Sequence, residues 1–167
     1  MILKRDLFQS EEILSITFIL ACALVVTLAL IIEYGYGLEP CALCLTQRLL
    51  VFASGSIAVA GLAHEPRLGI YPVLSLLSIF FGIMVAIRHI YIQINPSASG
   101  TCGMELEFLV QQDYPWTDIL NAMITGTGSC TEPSIIPTFA LVSFLILGTI
   151  AIKQVLQIIR ATDRLSI

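Results

Sequence analysis

The residues best able to do chemistry stand in one stretch, "EPCALCLTQR" at 39–48. Cys41 and Cys44 are three apart, and Gln47 and Arg48 follow them into a long apolar run. A disulfide across a C-x-x-C pair closes a tiny loop. It removes little entropy from the unfolded chain and makes a poor staple. The same spacing suits a pair that cycles between dithiol and disulfide. Pro40 fits the first turn of a helix, which puts Cys44 within reach of the helix N-terminus. The positive end of the helix dipole favours a thiolate there, and Arg48, one turn beyond Cys44 on the same face, adds a cation. A stabilised thiolate leaves readily and makes its disulfide a better oxidant. The plain alternative for Arg48 is an interfacial side chain that snorkels to lipid headgroups.

Three further cysteines are Cys22, Cys102 and Cys130. Cys22 lies inside an apolar run and reads as a small packing residue. Cys102 and Cys130 bracket most of a long polar connection, with Gly100 and Gly103 around the first and Gly126 and Gly128 before the second. These nearby glycines suit a pair that changes partners, whereas an inert pair of staples is the structural alternative. Two pairs of cysteines allow three connectivities, and residue spacing does not choose among them. Four cysteines can also hold zinc, but structural sites usually show two close pairs, and here the second pair is split. Elsewhere "RHIYIQ" places His89 and Gln93 four apart on one helix face. Gln47, Arg48, His89 and Gln93 are expected to converge between helices. Polar groups that converge within a membrane mark a functional site, though a lone interfacial histidine also serves as a simple anchor.

These groups need elements to position them. The chain has 167 residues, 57% hydrophobic and 12% charged, against about a quarter charged in soluble domains. Such a composition belongs in a bilayer, and the net charge of −4 gives no reason to expect nucleic acid. Four apolar runs, about 13–32, 45–63, 68–87 and 135–152, have the length that crosses a hydrocarbon core of roughly 30 Å. Lipid offers no partners to backbone groups, so each run is expected to be a helix. The first run is longer than the ~7–15 apolar residues of a signal-peptide core and no small-residue cleavage site follows it, so it reads as a retained span. The reading is an all-α, four-transmembrane-helix bundle forming one domain over 1–167, with outer loops at 33–44 and 88–134. Ser54, Ala58 and Gly61 give the second span a stripe of small residues for close helix packing. Apolar residues from Trp116 to Ile124 recur at helical spacing, and a short amphipathic helix is expected there on the outer leaflet.

Lys4, Arg5, Arg67, Lys153, Arg160 and Arg164 fall on one side of this layout, and only Arg48 and Arg88 on the other. Basic residues favour the cytoplasm, so both termini are expected there. Cys41, Cys44, Cys102 and Cys130 then lie on the oxidising side.

"PCALC" leading into Arg48, His89 with Gln93, the "NPS" at 95–97 before Cys102, and "GSC" ending at Cys130 together resemble the bacterial disulfide bond formation protein B (DsbB) family. The resemblance covers nearly the whole chain. It implies an inner-membrane enzyme that makes disulfides at the expense of ubiquinone or menaquinone. It implies further that Cys102 exchanges with a DsbA-like periplasmic thiol oxidase, that Cys130 passes electrons to Cys41, and that Cys44 faces the quinone. Arg48, Gln47, His89 and Gln93 would then lie around the quinone. The competing readings are a tetraspan structural or binding protein with two inert disulfides, and a metal-handling protein.

Overall fold

The computed structural model describes residues 2–37, 41–64, 69–96, 111–126, 128–131 and 134–165. Cys102, with its glycines and the "NPS" motif's last residue, lies outside them. Four long helices carry the apolar runs: α1 (Ile2–Tyr36), α2 (Ala42–His64), α3 (Ile70–Ile94) and α5 (Ile136–Leu165). Among the described residues between the last two are a short helix, α4 (Trp116–Thr125), and a 3₁₀ turn over Gly128–Thr131. The described residues contain no strand. The long helices outrun the apolar runs because nothing in the flanking sequence breaks them. α3, for example, continues through Arg88 and His89 to Ile94 before Asn95 and Pro96 stop it. At 1.5 Å per residue the 23 residues of α2 extend about 35 Å, enough to cross a bilayer.

The helices close a ring in which α1 meets α2, α2 meets α3, α3 meets α5, and α5 returns to α1. Phe18 and Cys22 from α1, Val51 from α2, Ile79 and Ala86 from α3, and Phe144, Leu147 and Ala151 from α5 fill the middle. Cys22 packs here, its Cβ set against Gly55. Large apolar side chains such as Leu20, Phe52, Phe80, Met84 and Leu145 face outward. Helices that are apolar on both faces need a lipid surround.

The seam between α2 and α3 is tied by hydroxyls. Ser54 Oγ donates to the Ser75 carbonyl at 3.3 Å, Ser75 Oγ donates to the Ser54 carbonyl at 3.2 Å, and Ser78 Oγ donates to the Leu50 carbonyl at 2.9 Å. Polar side chains that bond across helices hold a bundle where apolar burial gives no drive, and Ser54 belongs to the small-residue stripe expected for packing. On the next seam, a Cβ at Gly82 would run into the ring of Phe144. The absence of a side chain there sets how closely α3 and α5 approach.

α4 lies across the end of the bundle that carries Cys41. Arg88 from α3 donates through Nε to the Ile124 carbonyl at 3.1 Å and through Nη2 to the Thr125 carbonyl at 2.9 Å. A cation on the last carbonyls complements the negative end of α4. Thr46 Oγ1 of α2 donates to the Met123 carbonyl at 3.1 Å. Gly126 ends α4 at φ 86°, and a Cβ there would press on the side chains of Leu43 and Ile92. Trp116, Leu120 and Ile124 stand exposed at i, i+4 and i+8, an apolar stripe suited to the lipid interface.

Candidate functional site

The site is built around the start of α2. Cys41 occupies the residue before the helix. Its carbonyl accepts the Leu45 N–H at 3.1 Å, and its sulfur accepts the Cys44 N–H at 3.4 Å, so the thiol itself caps the exposed donors. The Cys41 and Cys44 sulfurs are 2.9 Å apart. Cys41 is buried; Cys44 is half-buried.

The 3₁₀ turn brings Cys130 onto the same place. It is buried in a cluster with Cys41, Ala42, Leu43 and Ile92. The glycines before it suggest a mobile residue, but the turn packs on α2 and α3 and its sulfur is enclosed. His89 completes the group from α3, with Nε2 3.7 Å from the Cys41 sulfur. The Cys41 and Cys130 sulfurs and a ring nitrogen of His89 all lie within 4.8 Å of one another. Gln47 Nε2 is 3.5 Å from His89 Nδ1 and fixes the ring from behind. Cys41 holds its proton more firmly than a free thiol, first through hydrogen bonding with Cys130, then with Cys44, then through burial.

On the far side of α2 is a cavity of about 380 Å³ between α1, α2 and α5. Val25, Val26, Ala29, Ile32, Phe139 and Phe144 make most of its wall. Four chemically active side chains interrupt this apolar lining: Cys44, Gln47, Arg48 and Glu33. Arg48 Nη1 donates to Glu33 Oε2 in a part-buried ion pair.

Residues 11–155 match the family described as "Disulfide bond formation protein DsbB". A disulfide bond formation protein B of Alkalilimnicola ehrlichii is 37% identical over 150 residues, spanning 82% of this chain and 91% of that protein. Another from Chromohalobacter salexigens is 32% identical over 152 residues, spanning 84% and 88%. The chain belongs to the DsbB family. No solved structure matches it. With four helices long and apolar enough to cross a membrane, this DsbB-family chain is a multi-pass membrane thiol–disulfide oxidoreductase.

The predicted site residues divide into two groups on either side of α2. Cys44, Gln47 and Arg48 face the cavity, while Cys41, Cys130 and His89 form the buried cluster, and Gln47 touches both. Gln93 extends toward the loop before α5, donating to Ser134 Oγ at 3.1 Å, and is not among the cavity-lining residues. Cys102 lies outside the described residues. Glu33 was not among the predicted site residues, yet it lines the cavity and pairs with Arg48. The signal was its place: Glu33 and Arg48 carry opposite charges at the two edges of one short loop. Arg88 was counted only as a charge.

Proposed function

We propose that this chain regenerates a DsbA-like periplasmic thiol oxidase and delivers the electrons to a membrane quinone, from the bacterial inner membrane with its cysteine end in the periplasm. One observation carries the reading. Of the four cysteines described, Cys44 alone lines the cavity, while Cys41 lies between it and Cys130. A relay needs that order: one sulfur toward the acceptor, one toward the incoming thiol, and one between them that can bond to either.

The cavity fits a quinone head. Its volume falls in the range of small-molecule sites, and its apolar wall with a few convergent polar groups is the usual composition of such a site. Cys44, Gln47, Arg48 and Glu33 would hold the head, with the apolar residues of α1 and α5 beside it. A bound quinone supplies a sink for two electrons and two protons.

The chain's own part is thiol exchange. The partner's thiolate attacks Cys102 of a Cys102–Cys130 disulfide, forming a mixed disulfide and releasing Cys130 as thiolate. The partner's second thiol then resolves the mixed disulfide, leaving the partner oxidised and Cys102 reduced. Cys130 attacks Cys41 of the Cys41–Cys44 disulfide, so a Cys41–Cys130 bond forms and Cys44 leaves as a thiolate facing the cavity. Exchange requires approach along the disulfide axis, and the enclosed Cys130 sulfur is already beside Cys41. Arg48 lies one turn from Cys44 and supplies positive charge to the cavity wall, partly balanced by Glu33.

The test is Cys44→Ser in purified protein supplied with reduced partner and a soluble quinone analogue. Quinone reduction should vanish while the helical circular-dichroism spectrum is kept. Turnover at the wild-type rate would overturn the assignment of Cys44.

A further inference from the structure

We propose that the fully reduced chain binds one thiophilic d¹⁰ cation, of the zinc(II) class, through Cys41, His89 and Cys130. Three ligands suited to such an ion meet here: two thiols and an imidazole, all buried, drawn from the start of α2, the last turns of α3 and the 3₁₀ turn. Zinc bonds of about 2.0–2.3 Å at tetrahedral angles set the ligand atoms roughly 3.5 Å apart. The Cys41 sulfur and His89 Nε2 are 3.7 Å apart, and no pair in the set exceeds 4.8 Å. Cys44, its sulfur 2.9 Å from that of Cys41, is placed to supply the fourth ligand.

The support behind the imidazole also fits. A histidine that binds metal through Nε2 carries its proton on Nδ1, and that proton needs an acceptor. The Gln47 amide is 3.5 Å from Nδ1. A half-turn about its last bond puts the amide oxygen in that place without moving the backbone. Binding displaces to solvent the thiol protons of Cys41 and Cys130, and that of Cys44 where it is the fourth ligand, and moves no electrons.

The cation and the Cys41–Cys130 disulfide exclude each other, because the same two sulfurs make both. The site therefore exists only while the cysteines are reduced, and occupying it stops thiol exchange at Cys41. It needs no quinone, so its failure and the failure of the quinone reading are separate results.

Full-length protein in detergent, reduced and free of quinone, is titrated without oxygen with zinc(II) against a chromophoric chelator. Cadmium(II) is followed in parallel by thiolate-to-metal charge-transfer absorption. One equivalent should bind, and none after the thiols are oxidised. Affinity should fall in His89→Ala by more than the ~10–100-fold typical of losing an outer-shell group, and binding should be lost in Cys130→Ser. In the wild-type chain, zinc should slow alkylation of Cys41 and Cys130, mapped by peptide mass, which requires no variant to fold. Wild-type affinity in both variants would assign the ion to the C-x-x-C pair and overturn the proposal. So would protection that maps to Cys102 in place of Cys41, or the absence of any zinc-dependent protection.

Discussion

Glu33 at the end of α1 and Arg48 in the second turn of α2 form an ion pair in the wall of the cavity that Cys44 faces. The pair joins α1 to α2 beyond their shared apolar core. It also sets the charge that any occupant of the cavity meets. Glu33→Gln and Arg48→Ala should each destabilise the protein, and the double variant by less than their sum. The coupling is expected at about 1 kcal/mol or more, above the ~0.3–0.5 kcal/mol scatter of independent sites. Unfolding in mixed micelles with increasing SDS reads it. Strict additivity would mean the two side chains do not meet.

Arg48→Ala should raise the KM for quinone at least several-fold while expression and helix content stay near wild type. A steady-state titration with a soluble quinone analogue measures it. An unchanged KM would reduce Arg48 to an anchor at the headgroups.

With Cys44 and Cys102 both changed to serine, mild oxidation should join Cys41 to Cys130, because their sulfurs already lie within 4.8 Å. With Cys41 and Cys102 changed instead, Cys44 and Cys130 should bond much more slowly, since Cys44 is directed to the cavity. Non-reducing peptide maps over time compare the two. Equal rates would show that the order of the three sulfurs is not fixed.

Gly82→Ala should cost about 1–3 kcal/mol, the usual range for overpacking, because the new methyl meets the Phe144 ring. Adding Phe144→Leu should restore part of the loss. Thermal unfolding in detergent gives both values, and a harmless Gly82→Ala would mean that α3 and α5 stand further apart.

Arg88→Gln should loosen α4. It removes two charge-assisted bonds to the Ile124 and Thr125 carbonyls, each about 1.5–3 kcal/mol at most and less where water reaches them. Amide hydrogen exchange across 116–126 should speed up while exchange in the middle of α3 stays slow. Unaltered exchange in α4 would leave Thr46 and Gly126 as its main attachments.

Much of this was legible before any coordinates. Apolar runs of about 20 residues admit little besides helices in lipid, so the four-helix bundle followed from length and composition. The place of Cys41 and Cys44 at a helix start followed from the apolar run that opens just beyond them. What the sequence hid was which way side chains point once helices pack. His89 and Gln93 share a helix face, yet His89 turns to the sulfurs and Gln93 to Ser134. Residues four apart differ by some 40° around the axis and about 6 Å along it, and that is enough to give them different neighbours. Cys130 looked mobile from its glycines. Its burial comes from the start of α2 and from α3, where Cys41, Leu43 and Ile92 close around it, and no local pattern around Cys130 reports those distant contacts.

Cys41 has a consequence for leakage. Its sulfur can bond to Cys44 or to Cys130 but never to both, and it is only 8% exposed. Small soluble thiols, which would otherwise drain oxidising equivalents without producing a useful disulfide, find no open line of attack on it. In the proposed relay the fold would act as insulation around a conductor: charge enters and leaves at the two ends, and the middle is sheathed. A small alkylating reagent should accordingly label Cys44 in the reduced protein well before Cys41, and reversal of that order would show the sheath to be open.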